Sequence, residues 1–103
     1  MWLTVVTFVP EPGRTMSDAE KRALFEATAP HYRAVPGLLR KYFIAGDGRA
    51  GGIYEWEGRA DAESFHTDAW RDRILAEYGT DLQVTGFDAP CVVDNEQERI
   101  KYA

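Results

Sequence analysis

Residues 46–70 read GDGRAGGIYEWEGRADAESFHTDAW, and how this stretch is parsed decides the fold. Its first six residues match G-x-G-x-x-G, a pattern that holds a dinucleotide pyrophosphate when the glycines run directly into a helix with free amides. Here GIYEWE follows, which reads as a strand. The glycines therefore belong to a turn, and with LLRKYFIA (residues 38–45) before them they predict an antiparallel hairpin. In it Arg40 and Lys41 lie opposite the neighbourhood of Glu55 and Glu57, in a register that the sequence leaves open.

Downstream, Gly58 is an acceptable N-cap, with Asp61 and Glu63 near the positive end of the helix that follows. Ala62, Phe65, Ala69 and Trp70 supply its apolar stripe, Thr67-Asp68 allows a bend at residues 66–68, and Tyr78-Gly79 closes it. Upstream, an earlier helix opens on the capping box Ser17-x-x-Glu20, with Asp18 in its first turn. Leu24, Phe25, Thr28, Tyr32 and Val35 recur at helical spacing. Pro30 lacks the amide that would bond Glu26, so a kink or break is expected near Ala29, and Pro36-Gly37 ends the helix.

At the start of the chain, WLTVVTFV (residues 2–9) is a β-branched and aromatic strand stopped by Pro10, Pro12 and Gly13. Its apolar residues occur at both parities, which predicts burial of both faces. Near the other end, LQVTGFDAPCVVDN reads as a last strand or strand pair, interrupted around Gly86 or Pro90. The order β-α-β-β-α-β is the split arrangement of the ferredoxin-like α+β fold: one four-stranded antiparallel sheet with two helices on one face. The apolar opposite face needs a cover, which a second copy of the chain supplies most simply. Residues 1–95 are expected to form one domain, and residues 96–103 a tail that is exposed or lies on the partner subunit.

With 12 Lys and Arg against 17 Asp and Glu, the net charge is −5 and the longest basic cluster is the pair Arg40-Lys41. Phosphate neutralisation needs a basic face, so neither nucleic acid nor an anionic membrane is an expected partner. No stretch approaches the roughly 20 apolar residues needed to span a bilayer, and the cytoplasm is the expected compartment. The single cysteine, Cys91, excludes an intrachain disulfide; in the run PCVV it is expected to be a small buried core residue.

Chemistry-bearing motifs are sparse. Two isolated histidines do not make a zinc site, no G-x-S-x-G occurs, and Ser17 is accounted for as a cap. His31 sits at a helix end after Pro30, while His66 neighbours Phe65 and Trp70 beside the aromatic strand. The aromatic set Tyr32, Tyr42, Tyr54, Trp56, Phe65 and Trp70 is either a dense core or the wall of a cleft for a small planar ligand.

The segments PGLLRKYF (residues 36–43) and AGGIYEWEGRADAESF (residues 50–65), in this element order, resemble the YdhR-type monooxygenase family. That family is a branch of the dimeric α+β barrel superfamily that also holds the antibiotic-biosynthesis monooxygenases. The resemblance implies a homodimer whose sheets pack face to face, with a cleft between sheet and helices in each subunit. It also implies oxidation of a phenolic substrate by molecular oxygen without metal or flavin, because the substrate anion itself reduces oxygen. Trp56 matches the tryptophan common on the third strand of the superfamily, and Tyr54 and His66 are candidates to line the cleft.

The chain also departs from its relatives. Phe65 and Ile74 stand about where haem-degrading members carry a tryptophan and an iron-binding histidine, which disfavours haem. The asparagine used near the cleft by several oxygenating relatives has no counterpart in strand one, where Thr4 and Thr7 are the polar residues.

The resulting expectation is a cofactor-independent monooxygenase-like protein acting on a small aromatic or quinol-type molecule. His66 would help to deprotonate the phenol, and Tyr54, Trp56, Phe65, Trp70, Tyr42, Tyr32 and His31 would contact the substrate. The alternative is a dimeric α+β barrel that binds a small ligand, or only packs, without chemistry.

Overall fold

The computed structural model describes residues 1–11, 13 and 16–102. Its strands and helices are β1 (Trp2–Phe8), α1 (Asp18–Thr28), a 3-10 helix (Ala29–Ala34), β2 (Leu38–Gly46), β3 (Arg49–Trp56), α2 (Arg59–Phe65), α3 (Asp68–Tyr78), β4 (Leu82–Asp88), β5 (Cys91–Asp94) and β6 (Arg99–Tyr102). The first four strands form one antiparallel sheet in the order β2-β3-β1-β4, and the helices pack on one face of it. This is the ferredoxin-like α+β architecture that the hairpin reading predicts.

The hairpin turn is Asp47-Gly48, with φ of 52° and 73°, between the paired residues Gly46 and Arg49. Positive φ at both central positions is the two-residue turn that matches the strand twist and favours Asp-Gly. Further along β3, a side chain on Gly51 would collide with the carbonyl oxygen of Val6, so the close approach of β1 requires a glycine there.

One irregularity marks the start of β2. Leu38 pairs with Trp56, but Arg40 pairs with Glu55, so Leu39 is an extra residue in a β-bulge and is 51% exposed. Between this bulge and the Asp47-Gly48 turn the register is regular, so the turn puts Lys41 opposite Tyr54 and on the helix-covered face, while Arg40 and Tyr42 fall on the open face opposite Glu55 and Ile53.

The helical connections follow their caps. Ser17 and Glu20 form the expected reciprocal box, at 3.1 and 3.4 Å. At Pro30 the α-helix gives way to the 3-10 helix, as the missing amide requires. The second connection divides at the expected bend: His66, with φ −83° and ψ 60°, caps α2, Thr67 caps α3 through a 3.1 Å bond from the Trp70 amide, and Gly79 ends α3 in the left-handed conformation. No residue of α1 is buried, because it lies at the β2 edge of the sheet, where Phe25 reaches Phe43 at 4.9 Å between ring centroids.

The core lies between the sheet and α2–α3, around Val6, Tyr54, Trp56, Ala62, Trp70 and Leu82. The two faces of β1 are buried to different extents: Thr4 and Val6 are enclosed, whereas Leu3 and Val5 on the open face are half-buried. Beyond β4 the interruption falls at Ala89-Pro90, and β5 pairs with β6 in a separate two-stranded sheet. Residues 99–102 of the expected tail are thus an exposed strand. Cys91 is exposed rather than buried, because β5 belongs to this outer hairpin and not to the core sheet. No helix among the described residues is long and apolar enough to cross a membrane.

Candidate functional site

Thr4 is the polar hub of the helix-covered face. It is 3% exposed, and its Oγ1 lies 2.9 Å from Trp56 Nε1 and 2.8 Å from His66 Nε2. The pairing of β1 with β3 puts Thr4 opposite Tyr54, one pleat from Trp56, and the sharp turn at the α2–α3 junction carries His66 over the sheet. The indole N–H can only donate, so Thr4 accepts from it; the threonine's own proton then needs an acceptor, and His66 Nε2 supplies one. This network assigns the imidazole proton to Nδ1. Burial, and secondarily the charge of Lys41, pull the His66 pKa down to about 4, so the ring is neutral at pH 7.

Two donors are then left over. His66 Nδ1 and Trp70 Nε1 are both buried without a protein partner, on rings whose centroids are 4.5 Å apart. Tyr54 and Phe65 meet the His66 ring edge-on at 4.9 and 5.1 Å, and Tyr32 packs against both at 6.4 and 6.1 Å. Burial raises the phenol pKa values of Tyr32 and Tyr54, which keeps both hydroxyls protonated.

Sequence reasoning missed Lys41. Its Nζ lies 3.4 Å from the centroid of Tyr32, 4.1 Å from Phe43 and 4.8 Å from Tyr54, and among the described residues it forms no ion pair with a carboxylate. Desolvation pulls its pKa down to about 7. The one signal that could have found it is strand register, which here follows from the two-residue turn at Asp47-Gly48 within a glycine-rich run that admits more than one turn position.

Of the expected site residues, the structure brings together Tyr32, Tyr54, Trp56, Phe65, His66 and Trp70. Trp56 is 0% exposed and forms the floor of the cluster, whereas Tyr32, Lys41, Phe43, Phe65 and His66 are half-buried and connect it to solvent. Tyr42 is not among them, because strand alternation turns it to the open face, where its hydroxyl donates to Glu55 at 3.0 Å. His31 is exposed on the 3-10 helix. Two described cavities lie elsewhere. One, of about 780 Å³, is a groove along α1 lined by Phe25, Pro30 and charged residues; the other, of about 510 Å³, lies between Tyr42 and the β5–β6 hairpin.

No protein-family model and no curated protein matches the chain. Among solved structures, the chain is similar to a putative antibiotic biosynthesis monooxygenase from Deinococcus radiodurans, with a TM-score of 0.66 at 17% identity over 91% of this chain and 97% of that one. At that identity the likeness establishes a shared fold, the one that the hairpin and the four-stranded sheet define.

Proposed function

We propose that the protein is a cofactor-independent monooxygenase-like enzyme that takes a small aromatic or quinol-type molecule between sheet and helices, as a homodimer in the cytoplasm. The observation that carries this reading is the pair of unpartnered donors, His66 Nδ1 and Trp70 Nε1, beside a half-buried lysine in an aromatic surround. A core shaped only by packing has little reason to keep them, since an unpaired buried donor costs about 1–3 kcal/mol. They suit an oxygen atom on a planar ring, with Tyr54 and Phe65 against the ring and His66 as the group that meets the hydroxyl. An ionised quinol-type ring is electron-rich enough to reduce molecular oxygen directly; one oxygen atom enters the product, the other leaves as water, and the substrate supplies the electrons. The shared fold of the Deinococcus radiodurans protein is consistent with this reading.

Oxygen uptake with a panel of quinols tests it. Wild-type protein should consume oxygen and yield an oxygenated product, and His66→Ala and Trp56→Phe should each slow the reaction by about tenfold or more. Unchanged rates in both variants would remove the site assignment. The dimer rests on the apolar residues of the open sheet face, where Phe87 is 51% and Tyr42 42% exposed. Light scattering should give about twice the 11.6 kDa chain mass.

A second reading is favoured by the complete enclosure of Trp56 and by the position of the two cavities away from it. In that reading the chain is a dimeric α+β barrel that binds a small ligand, or only packs, without chemistry. Ligand binding with no oxygen uptake across the panel would select it.

A further inference from the structure

We propose that Lys41 is the base and counter-ion of this site: its amine takes the proton of an acidic hydroxyl on an aromatic ring, and the ammonium so formed, seated over the faces of Tyr32, Phe43 and Tyr54, pairs with the oxyanion. The inference rests on the site reading above and adds to it a substrate class, phenols and enols that bind as anions. The geometry has three parts. The Lys41 nitrogen lies over three ring faces at 3.4 to 4.8 Å, a surround that accommodates an ammonium ion once it forms. No carboxylate neutralises it among the described residues, so an incoming oxyanion has no internal rival. Finally, Lys41 and His66 both neighbour the Tyr54 ring, at 4.8 and 4.9 Å from its centroid, and the His66 Nδ1 is unpartnered.

The proton balance is simple: the substrate O–H bond breaks, the N–H bond of Lys41 forms, and the charge pair stays inside the site. Burial, which pulls the Lys41 pKa down to about 7, leaves much of the amine unprotonated near neutrality and able to accept. His66 is less suited to that step, because its acceptor nitrogen is held by Thr4 and its pKa lies near 4. The titratable groups that face Lys41 are Tyr32 from the 3-10 helix, Tyr54 from β3 and His66 from the α2–α3 junction, and Arg73 and Glu77 of α3 act on Tyr32. Both tyrosines are held protonated and His66 neutral, which leaves Lys41 as the group that changes charge near neutral pH.

The test uses 4-chlorophenol under nitrogen, so that turnover plays no part, at about pH 8, where free probe is mostly the neutral phenol. Bound to wild-type protein it should show the phenolate absorbance band, with a phenolate-to-phenol ratio about tenfold above that of free probe and with little proton release to the buffer. Lys41→Met should bind the probe with the ratio of free solution, and Lys41→Arg, charged at every pH, should keep the phenolate band but release about one proton for each phenolate formed. Nitrogen NMR of the lysine side chains gives a readout without substitution: Lys41 should turn from amine to ammonium on adding the probe, while Lys21 and Lys101 stay fixed. Probe that binds wild type without ionising, an unmoved Lys41 resonance, or a phenolate ratio in Lys41→Met equal to wild type would overturn the assignment and leave the site reading standing. Failure of the probe to bind at all would overturn both.

Discussion

Arg40 and Lys41 are adjacent cations on one strand, and the two faces of the sheet treat them in opposite ways. On the open face, Arg40 lies beside the Tyr42 hydroxyl and Glu55, 3.3 and 3.7 Å away, and hydrogen bonding to that hydroxyl, with Glu55, raises its pKa. On the helix-covered face, Lys41 has ring faces for neighbours and loses its proton more readily. Water and a carboxylate keep the first cation charged; partial loss of water, with no carboxylate partner among the described residues, makes the second easier to deprotonate. The same division holds for the aromatics, since Trp56 is 0% and Phe87 51% exposed.

The sharpest way to break this comparison is to truncate one aromatic on each face. Trp56→Ala removes the fully enclosed ring and the donor to Thr4, and should cost about 3–5 kcal/mol in urea unfolding. Phe87→Ala should cost under about 1 kcal/mol in the isolated chain, since half of its surface is already in water. Similar losses at the two positions would mean that the faces are not energetically distinct.

Next in size is the polar hub. Thr4→Val keeps the shape but leaves the Trp56 N–H and His66 Nε2 without a partner, for an expected loss of about 2–4 kcal/mol, whereas Thr4→Ser should cost less than about 1.5 kcal/mol. In Thr4→Val the imidazole should also lose its fixed tautomer, visible as averaging of the two His66 nitrogen signals. A fixed Nδ1–H tautomer in that variant would show that Thr4 does not set it.

Lys41 should show itself in the pH dependence of stability. Its folded pKa is about 7 against 10.5 for a free lysine, so between these values the unfolded chain binds a proton that the folded chain does not. Stability should therefore rise as the pH is raised from about 7 toward 10.5 and should carry the full penalty below pH 7. The separation would correspond to about 5 kcal/mol in full; Lys41 still meets solvent, so about 2 kcal/mol is expected. Lys41→Met should flatten this rise. A rise that persists in the variant would assign it to other groups.

The faces were only partly legible in the sequence. Local signals were sufficient for the hairpin, both caps, the break at Pro30 and the bend at His66, because each depends on residues a few positions apart. What residue belongs to which face is set by pairing between strands, and there the place of the turn within GDGRAG, at Asp47-Gly48, sends Lys41 inward and Tyr42 outward. An aromatic pair such as Tyr42 and Tyr54 looks equivalent in composition, yet one is 42% exposed and the other 3%. Thr4 was visible as a polar residue in an apolar strand, but its role as hub needed His66 to be brought across from a position 62 residues away.

The smallest effect probes the open face itself. Tyr42→Phe deletes a hydroxyl that receives from Arg40 at 3.3 Å and donates to Glu55 at 3.0 Å, leaving both charged groups free to turn to water. In a monomer the change should lie within about 0.5 kcal/mol, the usual range for an exposed polar contact. In a dimer that covers this face the three groups would be withdrawn from water together, and loss of the hydroxyl would leave a desolvated carboxylate short of a donor, at a cost of about 1–3 kcal/mol. Measuring Tyr42→Phe at protein concentrations above and below dimer dissociation therefore separates the cases. A cost that grows with concentration means that the open face is closed by a second copy, and a constant cost within about 0.5 kcal/mol means that it stays open.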